Sequence, residues 1–163
     1  MSVNLPYFGV IAIDELSDYY QADYNYEGKN IPLDLNFDDT EISSGDLSDT
    51  IVALQSLPQL ISTAYIELKK SYQTNGVVKQ YINRHMSGLS AQQLETLFTG
   101  TADDLNKEQK MLSQLKIVRI GFYPEDILDT ITIDFSIGYD LTDTIIVMNF
   151  NSKMQLEDIG QES

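Results

Sequence analysis

Tyr19 to Phe37 runs YYQADYNYEGKNIPLDLNF, and its alternation decides the fold. Tyr20, Ala22, Tyr24 and Tyr26 fall on one face, with Gln21, Asp23, Asn25 and Glu27 on the other. Beyond Gly28-Lys29-Asn30, the residues Ile31, Leu33, Leu35 and Phe37 resume the apolar side. A repeat of two is the strand period, because successive side chains of a strand point to opposite faces. The stretch predicts a hairpin that turns at Gly28 to Asn30 and has one apolar face for the rest of the chain to cover.

Upstream, Leu5-Pro6 and Gly9 divide Val3 to Ile13 into a lead-in and a short strand, Val10 to Ile13, with Pro6 favouring an edge or a strand start. Downstream, the polar loop DDTEISSGD gives way to helical spacing. Ile51, Leu54, Leu57, Ile61, Ala64, Tyr65, Leu68 and Tyr72 recur at threes and fours. Pro58 divides this run into a short helix and a longer one, since proline is tolerated only in a first turn. Asn75-Gly76 marks a stop. A further stripe over Val77 to Met86 ends at Ser87-Gly88. Ser90 with Gln93 has capping-box spacing, and Thr101 with Asp104 repeats a cap-like signal ahead of Leu105, Met111, Leu112 and Leu115.

Strand character then returns. Val118, Ile120 and Phe122 alternate with Ile117, Arg119 and Gly121, and Ile131, Ile133, Phe135 and Ile137 alternate with Thr132, Asp134, Ser136 and Gly138. Thr144 to Phe150 is apolar on both sides, as an interior strand is. A last short strand is expected over Met154 to Ile159. Strands at both ends and helices between predict one α+β domain over residues 1–163. Its antiparallel sheet is built from N- and C-terminal strands, with the helical middle packed on one face.

The chain has 163 residues, 42% of them hydrophobic, which suffices for a single core. It has no cysteine, which excludes disulfides, thiolate nucleophiles and cysteine-based metal sites, and one histidine, His85. No stretch approaches the roughly 18 apolar residues of a membrane span, so a cytoplasmic protein is expected. Twenty-five acidic residues against ten basic ones give a formal charge of −15 and a pI near 4.1. Nucleic acid and anionic membranes carry the same sign and are disfavoured as partners; a basic protein is favoured.

Catalytic and cofactor motifs are missing. There is no G-x-G-x-x-G, P-loop, G-x-S-x-G or H-E-x-x-H. His85 has no second histidine or cysteine to share a metal, and its place on or beside an apolar stripe gives it a structural or surface role. Asp34, Asn36, Asp38 and Asp39 begin like a calcium loop, but Asp39 stands where glycine is needed and Gly45 where a bidentate glutamate is needed. Asp134, Ser136, Gly138 and Asp140 fail in the same way, with Ile145 at the twelfth position. No catalytic residue, cofactor or metal site is therefore assigned. The tyrosines at 19, 20, 24 and 26 suggest an aromatic platform, although three of them share the alternation that builds a core. The more pointed signal is an acidic run, Asp34, Asp38, Asp39, Glu41, Asp46 and Asp49, with no Lys or Arg within it. Asp46 and Asp49 also suit a helix start. As a whole the run is the candidate docking surface for a basic protein.

LPYFG near the start, YEGKNIPLDLNFDD, the turn IVRIGFYPED and the ending LTDTIIVMNFNSKMQLEDIGQES together resemble a family of small acidic bacterial proteins catalogued only as a domain of unknown function. The resemblance covers most of the chain and implies no active-site residues. By analogy, small acidic bacterial proteins of this kind include immunity proteins that neutralise toxins. The expectation is a non-enzymatic module that binds a basic protein, immunity- or antitoxin-like. Two alternatives stand beside it: a small-ligand-binding protein or hydrolase with a dispersed carboxylate and tyrosine site, and a homo-oligomeric structural module. The first predicts a concave pocket holding several acids with raised pKa values.

Overall fold

The computed structural model describes residues 1–163. Its principal hairpin is β3 (Tyr19–Tyr26) paired with β4 (Lys29–Asn36), in the register Tyr20↔Leu35, Ala22↔Leu33 and Tyr24↔Ile31. The turn is tighter than expected: Glu27 and Gly28 alone form it, at φ 51° and 81°, and Lys29 and Asn30 are already in the strand. Two consecutive positive φ angles make the turn whose twist matches that of the flanking strands. The Asn25 side chain accepts the Gly28 N–H at 3.1 Å.

After β4 the chain enters α1 (Ser48–Gln55), α2 (Leu57–Gln73), α3 (Val77–Gly88), α4 (Ala91–Leu97) and α5 (Lys107–Gln114). Pro58 lies in the first turn of α2, as its missing N–H requires. Asn75, at φ 57°, reverses the chain ahead of α3. Ser90 and Gln93 form the anticipated capping box. The cap of α5 is Asn106 with Gln109, not Thr101 with Asp104; the Thr101 hydroxyl instead donates to the Phe98 carbonyl.

Strands β5 (Lys116–Phe122), β6 (Ile131–Ser136), β7 (Ile145–Phe150) and β8 (Leu156–Glu162) complete a six-stranded sheet in the order β3-β4-β5-β6-β7-β8. The α+β architecture is as read from the sequence, but the sheet is mixed. β4 and β5 are parallel, and every other neighbouring pair is antiparallel. The five helices lie between β4 and β5, and a long helical crossover is what returns a chain to run parallel to its neighbour. The first residues also depart from a single sheet. β1 (Ser2–Leu5) and β2 (Gly9–Ala12) form their own small hairpin. It is tied to the loop after β4 by Ile42 N–H to Ile13 O and Leu16 N–H to Thr40 O, and Tyr7 meets Tyr24 edge-on at 5.3 Å.

Two apolar rows cross the large sheet. One runs Ala22, Leu33, Ile120, Ile133, Met148, Ile159, and the other Tyr20, Leu35, Phe122, Ile131, Phe150, Leu156. They join Leu54, Leu57, Ile61, Leu68, Ile82 and Met111 of the helices in one continuous core. A register shift between Ile117 and Arg119 changes the phase of β5. Ile117 is therefore buried and Val118 only half-buried, the reverse of simple alternation. Of the structural or surface role expected of it, His85 has the structural one and is buried. Its Nδ1 is 2.8 Å from the Tyr81 carbonyl oxygen, to which it can only donate, and its Nε2 is 3.0 Å from Thr142 Oγ1. Burial pushes the Tyr81 phenol up to about 12, and it donates to the Thr144 carbonyl at 3.0 Å. No helix is long and apolar enough to cross a membrane.

Candidate functional site

Because β4 and β5 are parallel, their C-terminal ends lie side by side. The acidic loop that leaves β4 therefore meets the turn that leaves β5, and between them opens a groove of about 970 Å³. Asp39, Glu41, Asp46 and Asp49 line it, joined by Asp14 from the turn after the N-terminal hairpin and by Glu125 and Asp126 from the β5–β6 turn. Seven carboxylates thus share the lining with one ammonium group, the Met1 amino terminus, and Lys153 reaches Asp49 from outside it. The Met1 amino group is 2.7 Å from Asp14 and Lys153 Nζ is 2.9 Å from Asp49. Its hydrogen bond to that amino group holds the Asp14 carboxyl below the ordinary carboxylate range.

Several of these acids have fixed partners. Glu125 accepts the backbone N–H groups of Asp38 and Asp39 at 2.6 and 3.0 Å, one on each oxygen, and so fixes the acidic loop against the turn. Asp46 accepts the Ser43 hydroxyl at 2.6 Å. Asp39, Glu41 and Asp126 are exposed and in no ion pair. Thr50 also lines the groove, and its hydroxyl is buried without a hydrogen-bond partner. Ile127, at the rim, and its neighbour Leu128 are 80% and 61% exposed, which sets apolar surface beside the negative charge.

The acidic run of the sequence is thereby divided. Four members line the groove. Asp38 borders a smaller adjoining hollow with Asp18 and Tyr123. Asp34 is not available for docking: it is 4% exposed and held by Arg119 through Nε to Oδ2 at 2.7 Å and Nη2 to Oδ1 at 2.8 Å. Its even-numbered position turns it away from the buried Leu33 and Leu35, toward the opposite face of the sheet. There Arg119, Asp134 and the Tyr123 hydroxyl gather beside it. Gly121 serves this cluster, since a Cβ at that position would sit 2.8 Å from Arg119 Cζ and 3.0 Å from Asp34 Oδ1.

Arg119 serves two carboxylates unequally. Its contact with Asp134 is a single 3.3 Å bond to Oδ2, and Asp134 Oδ1 is buried with no partner. Burial pushes Asp134 above the ordinary carboxyl range, against the opposing pull of Arg119. For Arg119, burial works against the charge, but the hydrogen bonds to Asp34 and Tyr123 outweigh it and raise the pKa. Neither Asp34 nor Asp134 lines the groove. No group of three or more His, Asp or Glu side chains is arranged to hold a metal ion. Tyr20, Tyr24 and Tyr26 pack against the core and Tyr19 is exposed, so the four do not form one platform.

Asp14, Glu125, Asp126 and Thr50 escaped the sequence reading. Glu125-Asp126 was visible as an acidic turn after Pro124, but only the parallel seam brings it to the loop after β4. The chain matches no family model, no curated protein and no solved structure, so its chemistry is argued from its own geometry.

Proposed function

We propose that the protein is a non-enzymatic binding module whose acidic groove receives a cationic segment of a basic protein partner, in the manner of an immunity or antitoxin protein. The observation that carries this is the convergence of seven carboxylates, from three separate parts of the chain, on one open groove whose lining holds a single ammonium group, the Met1 amino terminus. Such a field steers a positive partner to the site and makes association fast and salt-sensitive. Ile127 and Leu128 supply the apolar contact that charge alone lacks, since the centre of an interface is carried by desolvated apolar groups.

The concavity suits a carboxylate-based enzyme too, but the partners of the acids favour binding. Glu125 and Asp46 hold the loop together and Asp14 and Asp49 are ion-paired, so four of the seven carboxylates have structural tasks. General acid–base chemistry would be left to Asp39, Glu41 and Asp126, all of them exposed to solvent.

The test pairs two variants of equal charge. One is Asp39→Asn with Glu41→Gln and Asp126→Asn in the groove; the other is Glu95→Gln with Asp103→Asn and Asp104→Asn on the exposed α4–α5 segment. Tagged protein of each kind is used as bait in lysate at low and high salt. The expected result is a basic protein retained by the wild type and the α4–α5 variant, released by salt, and held at least about tenfold more weakly by the groove variant. Equal retention by both variants, or capture of no basic protein, would overturn the proposal.

A further inference from the structure

At the other end of the same parallel pair the charge is reversed. The N-terminal ends of β4 and β5, together with α2, enclose a hollow of about 540 Å³, and three of the chain's ten basic residues line it: Lys29, Lys69 and Lys116. They come from β4, α2 and β5, so only the fold brings them together. None of the three is in an ion pair. The protein's ion pairs engage Lys79, Arg119, Lys153 and the amino terminus. Glu27 is the one carboxylate of the lining. In a chain with 25 acids, three lysines that share one hollow with a single carboxylate make a locally positive site, although Lys116 Nζ also donates to the Ser113 carbonyl at 2.9 Å.

The walls are apolar and aromatic. Tyr26 and Tyr65 line the hollow over the buried Ile31 and Ile117, and Ile66, 62% exposed, forms part of its rim. We propose that this hollow binds a small organic anion, a phosphate or carboxylate group carried on an apolar body about the size of one ring.

Three considerations converge on that ligand. Ammonium groups are compact point charges that serve well as phosphate and carboxylate binders. The volume lies within the roughly 300–1,000 Å³ of small-molecule pockets. Screening over about 8 Å at physiological salt limits the reach of the remaining carboxylates, so a small anion inside the hollow meets the lysines while an extended polyanion would meet the negative exterior. Partial burial and then the charge of Lys29 lower the Lys116 pKa, against a smaller opposing pull from Glu27, and a bound anion would relieve the Lys29 repulsion. Burial raises the pKa of the Tyr65 phenol, which is protonated at neutral pH in any case and able to donate. The site does not depend on the acidic groove.

Phenyl phosphate and benzoate are suitable probes, titrated into the full chain by NMR and calorimetry, with inorganic phosphate and benzyl alcohol as the head-only and body-only comparisons. The expected result is saturable binding of at least one of the two ring-bearing anions, tighter than either comparison, with shifted signals from Tyr26, Tyr65 and Lys116. Lys69→Gln and Lys116→Gln would each weaken it about tenfold, and Lys107→Gln, on α5, would leave it unchanged. These lysines are exposed, and an unaltered thermal midpoint confirms that each variant is folded. Absence of saturable binding at about 10 mM of both anions, or equal binding by all three variants, would overturn the proposal.

Discussion

Asp34 and Asp134 meet one guanidinium on unequal terms, and the difference is measurable. Asp34 has two short bonds to Arg119; Asp134 has one at 3.3 Å and an oxygen buried without a partner. Losing the Asp34 carboxylate leaves a part-buried cation with a weak counter-ion, a change that typically costs about 3 kcal/mol. Asp134 differs, because its folded pKa is raised by burial above the ordinary value of 3.8. A carboxyl whose folded pKa lies above its unfolded one keeps its proton more tightly when folded. Its favourable contribution is complete below the ordinary aspartate range and declines as pH rises through the folded pKa. Asp134→Asn should therefore remain within about 1 kcal/mol of wild type at neutral pH, while Asp34→Asn loses about 3 kcal/mol. The gap between wild type and Asp134→Asn should move in favour of the variant as pH rises from about 4 to 7. Urea unfolding across that range reads both. Equal losses at neutral pH would show that the two carboxylates are equivalent partners of Arg119.

Helices α4 and α5 have the same cap but differ in what they anchor. Both open with a reciprocal box, Ser90 with Gln93 and Asn106 with Gln109. α5 buries Met111 in the core, whereas α4, with seven residues, has none fully buried. Removing a cap typically costs about 1 kcal/mol, but global stability falls only if the helix forms cooperatively with the core. Asn106→Ala should lower the global unfolding free energy by about 1 kcal/mol. Ser90→Ala should speed amide exchange within α4 and leave the global transition nearly unmoved. Denaturant unfolding combined with hydrogen exchange separates the two outcomes, and a full global loss in Ser90→Ala would show that α4 belongs to the cooperative core. The same elements show what could be read before folding. Signals confined to a few residues were legible: the alternation of Tyr20 to Tyr26, the break at Pro58 and the Ser90 box. The Asn106 box is equally local, but Thr101 with Asp104 offers a competing signal just ahead of it. The bulge at Val118 left no local mark, because Val118, Ile120 and Phe122 keep a perfect alternation and only neighbouring strands select Ile117 for the core. The candidate site divides the same way. Its acidic loop was plain in the sequence, whereas the contributions of Asp14, Glu125 and Asp126 follow from the parallel β4–β5 seam, a consequence of the whole helical crossover.

The parallel seam also polarises the molecule. Both loops leaving β4 and β5 are acidic and form the groove, while lysines gather where the two strands begin. Charge of one sign crowded into a groove acts against the compact state, since carboxylates closer than the screening length repel one another more strongly folded than unfolded. Asp39 and Glu41 are the members to test, because neither is in an ion pair and both are exposed, so neutralising them removes repulsion and little else. The variant Asp39→Asn with Glu41→Gln should melt about 2 °C above the wild type in about 0.02 M salt. The difference should vanish near 0.5 M, where the screening length falls to about 4 Å. Calorimetry over that salt series gives the answer, and a variant that melts lower at every concentration would mean that these two acids make stabilising contacts of their own. If the rise is found, the groove carries a repulsion that a cationic partner is well placed to relieve. The same salt that closes the gap in melting temperature should then weaken that partner's binding, because both effects arise from one field.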